Sequence, residues 1–167
     1  MLRESITPHF LLLLDTSGSM YGEKMVSLKM AAQNLLQALS GVKYIPEPLA
    51  AIMTFGDSPV LRVPFTPVSG IELPELKPWG SSALTEALSL ANAILKQETT
   101  LILISDGRPD DNNYAKKITD LSLLTHIIAI EVGFDADTNV LELFCGSRGQ
   151  VVPAYDAEFM GEFLIYK

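Results

Sequence analysis

The chain has 167 residues with 12 Lys plus Arg against 20 Asp plus Glu, so its formal charge is −8 with both His neutral. Set against the roughly 150 residues of a typical domain, this length predicts a single domain over residues 1–167, and 48% apolar with 19% charged residues excludes the disordered class. The acid excess excludes a general nucleic-acid surface or an anionic membrane as partner, since both are bound through Lys and Arg, and it leaves cations, small ligands and other proteins.

At the amino end the longest uninterrupted apolar stretch is Phe10–Leu14, far short of the ~20 residues of a membrane span. Arg3-Glu4 before it and Asp15 directly after it fit a signal peptide poorly, so the expected location is the cytoplasm. Five consecutive apolar residues predict a strand buried on both faces. After a Gly/Ser turn, Met25, Leu28, Ala32, Leu35, Leu36 and Leu39 recur at steps of three and four, one face of a helix that Gly41 is placed to end. A second strand is expected over Leu49–Phe55. A third, Val60–Val63, has Pro59, Pro64 and Pro67 in or around it and is expected at a sheet edge.

Residues 68–79 include Pro74 and Pro78, show no period, and are predicted to form a loop across the top of the sheet. A helix starting near Ala83 would turn Leu84, Ala87, Leu88, Ala91, Ile94 and Leu95 inward, and Thr100–Ile104 would return as a central strand. A turn over 106–111 leads to a predicted helix from about Tyr114 to Leu123, with Ile118 and Leu121 inward. The remaining expected elements are a strand at His126–Val132, a helix at Thr138–Phe144, a strand at Gln150–Val152 and a helix at Ala157–Ile165. Strands alternating with helices in this way build a six-stranded, doubly wound α/β sheet. Cys145 is alone in the sequence, so no intrachain disulfide and no Cys-based zinc site can form, and it is expected to be packed.

Ligands of open α/β sheets bind outside the carboxyl ends of the strands. Three polar clusters fall there: Asp15-Thr16-Ser17-Gly18-Ser19, Gly80-Ser81-Ser82 and Ser105-Asp106-Gly107. Together they offer two carboxylates and several hydroxyls, with no thiol or imidazole, which is a donor set for a hard cation such as Mg²⁺. If the hydroxyls bind directly and the carboxylates act through water, the ion keeps excess positive charge and an open position for a carboxylate from another molecule.

These residues resemble the von Willebrand factor type A domains with a metal-ion-dependent adhesion site. The family's Asp-x-Ser-x-Ser pattern is present as Asp15, Ser17 and Ser19, its separate Thr falls on Ser82, and its later Asp falls on Asp106. Within that family the chain is most similar to the bacterial TerY-like proteins of tellurite resistance and stress response, which share the Asp-Thr-Ser-Gly-Ser-Met opening. The resemblance implies a three-layer, doubly wound Rossmann-like fold, with a mostly parallel six-stranded sheet and one antiparallel edge strand. It also implies a Mg²⁺- or Mn²⁺-dependent protein-binding module without catalysis, its metal set being Asp15, Ser17, Ser19, Ser82 and Asp106. A partner's acidic residue would complete the coordination, and kinase or phosphatase partners in a signalling system are the expected context. Ser82 departs from the family's Thr, keeping the hydroxyl and losing a methyl.

Competing readings exist for each element. Asp15–Ser19 could be a turn with helix-capping residues, and Ser81 could cap the helix beside Ser82. Asp110 and Asp111 are expected as caps of the helix near Tyr114. His9 and His126 lie at strand starts, opposite the site. Trp79, Met20 and Tyr21 are either anchors or contact residues. A haloacid-dehalogenase-type phosphatase also places an Asp after an apolar first strand and binds Mg²⁺, but it needs a second Asp where Ser17 stands, and Ser cannot shuttle a proton near neutral pH. Gly22-Glu23-Lys24 lacks the spacing and hydroxyl of a phosphate-binding loop. A metal-free scaffold is the remaining alternative.

Overall fold

A computed structural model of the chain describes residues 6–44, 46–95, 99–110, 113, 114, 116, 118, 126–146 and 149–165. Six strands form one sheet: β1 (His9–Asp15), β2 (Leu49–Phe55), β3 (Pro59–Pro67), β4 (Thr99–Ser105), β5 (His126–Glu131) and β6 (Gln150–Pro153). Their order is β3-β2-β1-β4-β5-β6. All neighbours are parallel except β3, which runs antiparallel to β2. This is the doubly wound α/β sheet, mostly parallel with one antiparallel edge strand, that the resemblance implied.

The α-helices whose bounds are described are α1 (Glu23–Gly41), α2 (Leu84–Ile94), α3 (Thr138–Cys145) and α4 (Met160–Ile165). The alternation of side chains along each strand divides the core into two layers. Leu12, Leu14, Ile52, Ile102, Ile104, Ile128 and Ile130 face α1 and α4, where Leu28, Leu35, Leu39, Met160 and Leu164 meet them. Leu11, Leu13, Met53, Phe55, Leu101, Leu103 and Ile127 face α2 and α3, through Leu84, Leu88, Leu141 and Phe144. Each central strand is covered on both sides, which is why Phe10–Leu14 reads as an unbroken apolar run.

Several boundaries differ from the expected ones. β3 is longer than Val60–Val63, because an outermost strand tolerates proline and register shifts opposite Ala50–Met53 take up the extra residues around Pro64. Residues 68–79 open with a 3₁₀ turn at Val68–Gly70 and pack Val68 and Leu76 into the α1 layer; only their end reaches the top of the sheet. The expected helix at Ala157–Ile165 is instead a 3₁₀ segment, Ala154–Phe159, followed by α4. Of the helix predicted from Tyr114 to Leu123, residues 114, 116 and 118 are helical and Ile118 is buried, while Leu121 and most of the rest lie outside the described residues. No helix among the described residues is long and apolar enough to cross a membrane.

Candidate metal centre

β1 pairs in register with both its neighbours, setting Asp15 opposite Phe55 and Leu14 opposite Ile104. The first and third polar clusters therefore leave the sheet at one edge. Asp15 is buried, and both of its oxygens are taken: Oδ1 accepts from the Ser17 N–H at 2.9 Å and Oδ2 from the Ser105 hydroxyl at 2.6 Å. Ser105 Oγ in turn accepts from the Gly107 N–H at 3.0 Å. Ser17 Oγ lies 3.1 Å from Ser19 Oγ. Ser17 is buried and Ser19 exposed, so this hydroxyl pair runs from the sheet edge outward.

The second cluster is fastened to the first by backbone bonds, Trp79 N–H to Thr16 O and Gly18 N–H to Gly80 O, both at 2.8 Å. Gly80 has φ +80° and lies against the Asp57 carboxylate, which leaves no room for a Cβ. Ser81 does not cap α2: its N–H and hydroxyl donate to Asp57 Oδ1 at 2.6 and 2.9 Å, and these two donors hold the Asp57 carboxyl below its ordinary range. Ser82 is buried. Its N–H donates to Asp110 Oδ2 at 2.7 Å, and its carbonyl accepts from the Asp110 N–H at 3.3 Å. Asp110 thus clasps the Ser82 loop; Asp111 and most of the helix that the two were expected to cap lie outside the described residues.

Asp106 is fully buried. Its Oδ1 accepts from the Arg108 N–H at 3.2 Å, and its Oδ2 from the Lys24 ammonium at 3.0 Å. Lys24 also pairs with Asp135 at 2.8 Å. Burial pulls the Lys24 ammonium down, but Asp135 and Asp106 outweigh it and hold the group above its ordinary value. Asp15 differs, since every donor named to it is neutral. Burial foremost pushes its carboxyl up to about 6, opposed by the Ser105 and Ser17 hydrogen bonds and reinforced by the nearby Asp106 charge.

A model of the von Willebrand factor type A domain matches residues 10–108, from β1 through all three clusters. The chain belongs to the von Willebrand factor type A domain family. Such domains typically serve as protein-interaction modules and are generally non-catalytic. No curated protein matches this sequence. Among solved structures, this von Willebrand factor type A domain is similar to the manganese-loaded TRAP protein of Plasmodium vivax, with a TM-score of 0.74 at 16% identity over 95% of this chain and 73% of that one. An aerotolerance-related membrane protein of Bacteroides fragilis NCTC 9343, with multiple mutations to serines, gives 0.71 at 12% identity over 93% and 96% of the two chains. The ArnB paralog VWA2 of Sulfolobus acidocaldarius gives 0.71 at 21% identity over 96% and 45%. Identities this low establish the shared fold.

Among the described residues of this von Willebrand factor type A domain, no three or more His, Cys, Asp or Glu side chains are grouped to hold a metal ion. A cation here would depend on hydroxyls and water. The donor chemistry fits a hard ion on that basis: Ser17 and Ser19 present adjacent hydroxyls, and Asp15 is a buried carboxylate whose named donors are uncharged. Among the described residues, Lys24 is the positive side chain paired with buried Asp106, and the donors to buried Asp15 are neutral. Positive charge is therefore what the site is short of. His9 and His126 begin β1 and β5 at the opposite edge. Met20 is core, whereas Tyr21 and Trp79 are exposed on the loops that flank the site. Sequence reasoning missed Lys24, Asp57 and Asp135, and Gly22-Glu23-Lys24 was weighed only as a phosphate loop.

Proposed function

We propose that this domain is a Mg²⁺-dependent, or Mn²⁺-dependent, protein-interaction module. Ser17, Ser19 and Ser82 would hold the ion through their hydroxyls, with Asp15 and Asp106 supporting it through water. The observation that carries this reading is the closed set of hydrogen bonds among the three loops: Ser105 to Asp15, Gly18 to Gly80, and Asp110 to Ser82. A turn that merely caps helices needs no such mutual clasp, and α2 starts without a side-chain cap. A bound divalent cation supplies a positive, Lewis-acidic point for a partner's carboxylate.

The protein's own residues do the rest. Asp15 and Ser105 fix the loop through neutral donors, and the charge of −8 repels acidic surfaces everywhere except at the ion. Tyr21 and Trp79 flank this point, and a cleft of about 650 Å³ lined by Tyr21, Phe134 and Tyr155 opens beside Lys24. These exposed aromatics suit a protein partner. No catalysis is assigned, because Ser17 stands where a phosphatase of this layout needs a proton-transferring acid. The opening motif supports a bacterial stress-response or tellurite-resistance-type signalling role in the cytoplasm, with a kinase or phosphatase as partner.

The test is a pull-down with the immobilised chain in Mg²⁺ and in chelator, alongside Asp15→Ala. Proteins retained only by the wild type in Mg²⁺ are the expected result. Recovery of the same proteins under all conditions would show that docking bypasses the ion.

A further inference from the structure

Lys24 sits in the first turn of α1, where the positive end of the helix dipole disfavours a cation. The structure compensates it twice, with Asp106 Oδ2 at 3.0 Å and Asp135 Oδ1 at 2.8 Å. Its side chain is 16% exposed, that of Asp106 is fully buried, and that of Asp135 is 41% exposed. The route between them is built in: Gly133 has φ +91°, and a Cβ there would meet Lys24 Cε at 2.8 Å. The turn that carries Gly133 and Asp135 is bonded to the third metal loop, Val132 N–H to Ser105 O at 3.1 Å and Asp137 N–H to Asp106 O at 2.8 Å. The ammonium is thus held between an inner carboxylate assigned to the cation and an outer one facing solvent.

We propose that Lys24 is a tethered cation that competes with the divalent ion for Asp106 and retreats to Asp135 when the ion binds, so that it sets the metal affinity of the site. The inference rests on the metal reading above and adds its regulation. An ammonium and a divalent ion on one buried carboxylate repel each other strongly at low effective dielectric. Stranding a half-buried ammonium without a counter-charge is costly as well. Asp135 removes that second cost, because Lys24 keeps an acidic partner wherever the balance falls. The position of Lys24 therefore couples metal occupancy to the turn over 132–137, whose Phe134 is exposed beside the site.

The experiment is calorimetric titration of the full chain with Mn²⁺ alone, for wild type, Lys24→Met and Asp135→Asn, with thermal melts of each in chelator. Lys24→Met should bind Mn²⁺ about tenfold tighter than wild type. Asp135→Asn should bind it more weakly, since the ammonium then has Asp106 alone. In chelator Lys24→Met should melt below wild type, because buried Asp106 has lost its counter-ion. If the wild type binds Mn²⁺ and Lys24→Met binds it equally or more weakly, Lys24 is a prop for the loop and the proposal is overturned while the metal reading stands. If neither binds Mn²⁺, the metal reading falls and the competition falls with it. Asp135→Asn decides the question in the same direction should Lys24→Met not fold.

Discussion

The Ser105 hydroxyl donates to Asp15 Oδ2 at 2.6 Å between neighbouring strands, while its own oxygen accepts from the Gly107 N–H. One hydroxyl therefore serves the carboxylate of the first loop and the backbone of the third. Ser105→Ala removes both bonds in a buried place and leaves a carboxylate oxygen and an N–H short of partners. We expect a loss of about 2–4 kcal/mol, read as a lower urea midpoint at neutral pH with an unchanged slope. An unchanged midpoint would mean that water or a neighbour takes over both bonds.

Asp15 makes stability depend on pH in an unusual direction. Burial, opposed by Ser105 and Ser17, raises its carboxyl from 3.8 to about 6. The folded chain thus holds this proton more tightly than the unfolded one, and the stability tied to it is fully present below the unfolded value and lost as pH rises through the folded one. In chelator, Asp15→Asn should gain on the wild type from about pH 4 to pH 7 by the order of 3 kcal/mol and then level off. Denaturation curves at several pH values measure the difference; parallel curves would contradict it.

Gly80 and Gly22 share φ +80° but not their surroundings. A Cβ at position 22 meets open space, whereas at position 80 it overlaps Asp57. Gly22→Ala should cost about 1–3 kcal/mol for the positive-φ backbone alone, φ +80° with ψ −131°. Gly80→Ala should cost more, and should also disturb the Asp57 grip on Ser81. Comparing the two melting temperatures separates strain from contact, and equal losses would show that the Asp57 contact is immaterial.

Cys145 is buried at the end of α3, with its thiol donating to the Gln150 carbonyl at 3.1 Å. Burial pushes the thiol up to about 11. The thiolate is the reactive form, so the native chain should resist alkylation at about pH 8 and react fully once unfolded. Following thiol labelling with and without denaturant checks this; rapid native labelling would be the contrary result.

Much of the scaffold was legible because it is written in periodicity. Phe10–Leu14 read as a two-sided strand and is one, and the α1 residues named from their spacing are all buried. The same signal could not distinguish 3₁₀ from α over Ala154–Phe159, where six residues give too few turns. Nor could it extend β3 past Pro64, because the register shifts that absorb the proline depend on the partner strand. The first and third clusters were legible as polar breaks at strand ends, and the second as the close of a loop just ahead of a helix. What joins them was not: Lys24 meets Asp106 across 82 positions, Asp57 meets Ser81 across 24, and Asp110 meets Ser82 across 28. Single side chains on separate loops leave no pattern until the sheet sets them side by side.

The prolines of β3 bear on how this domain can be approached. An open sheet offers two borders on which a foreign chain could add a strand, with aggregation as the hazard. One border here is β3, whose Pro59, Pro64 and Pro67 have no N–H to offer and whose Arg62 is exposed. The other is β6, four residues long and ending in Pro153. Both flanks are thereby blunted against self-templating, and traffic with other proteins is steered to the loop end of the sheet, where side chains can discriminate among them.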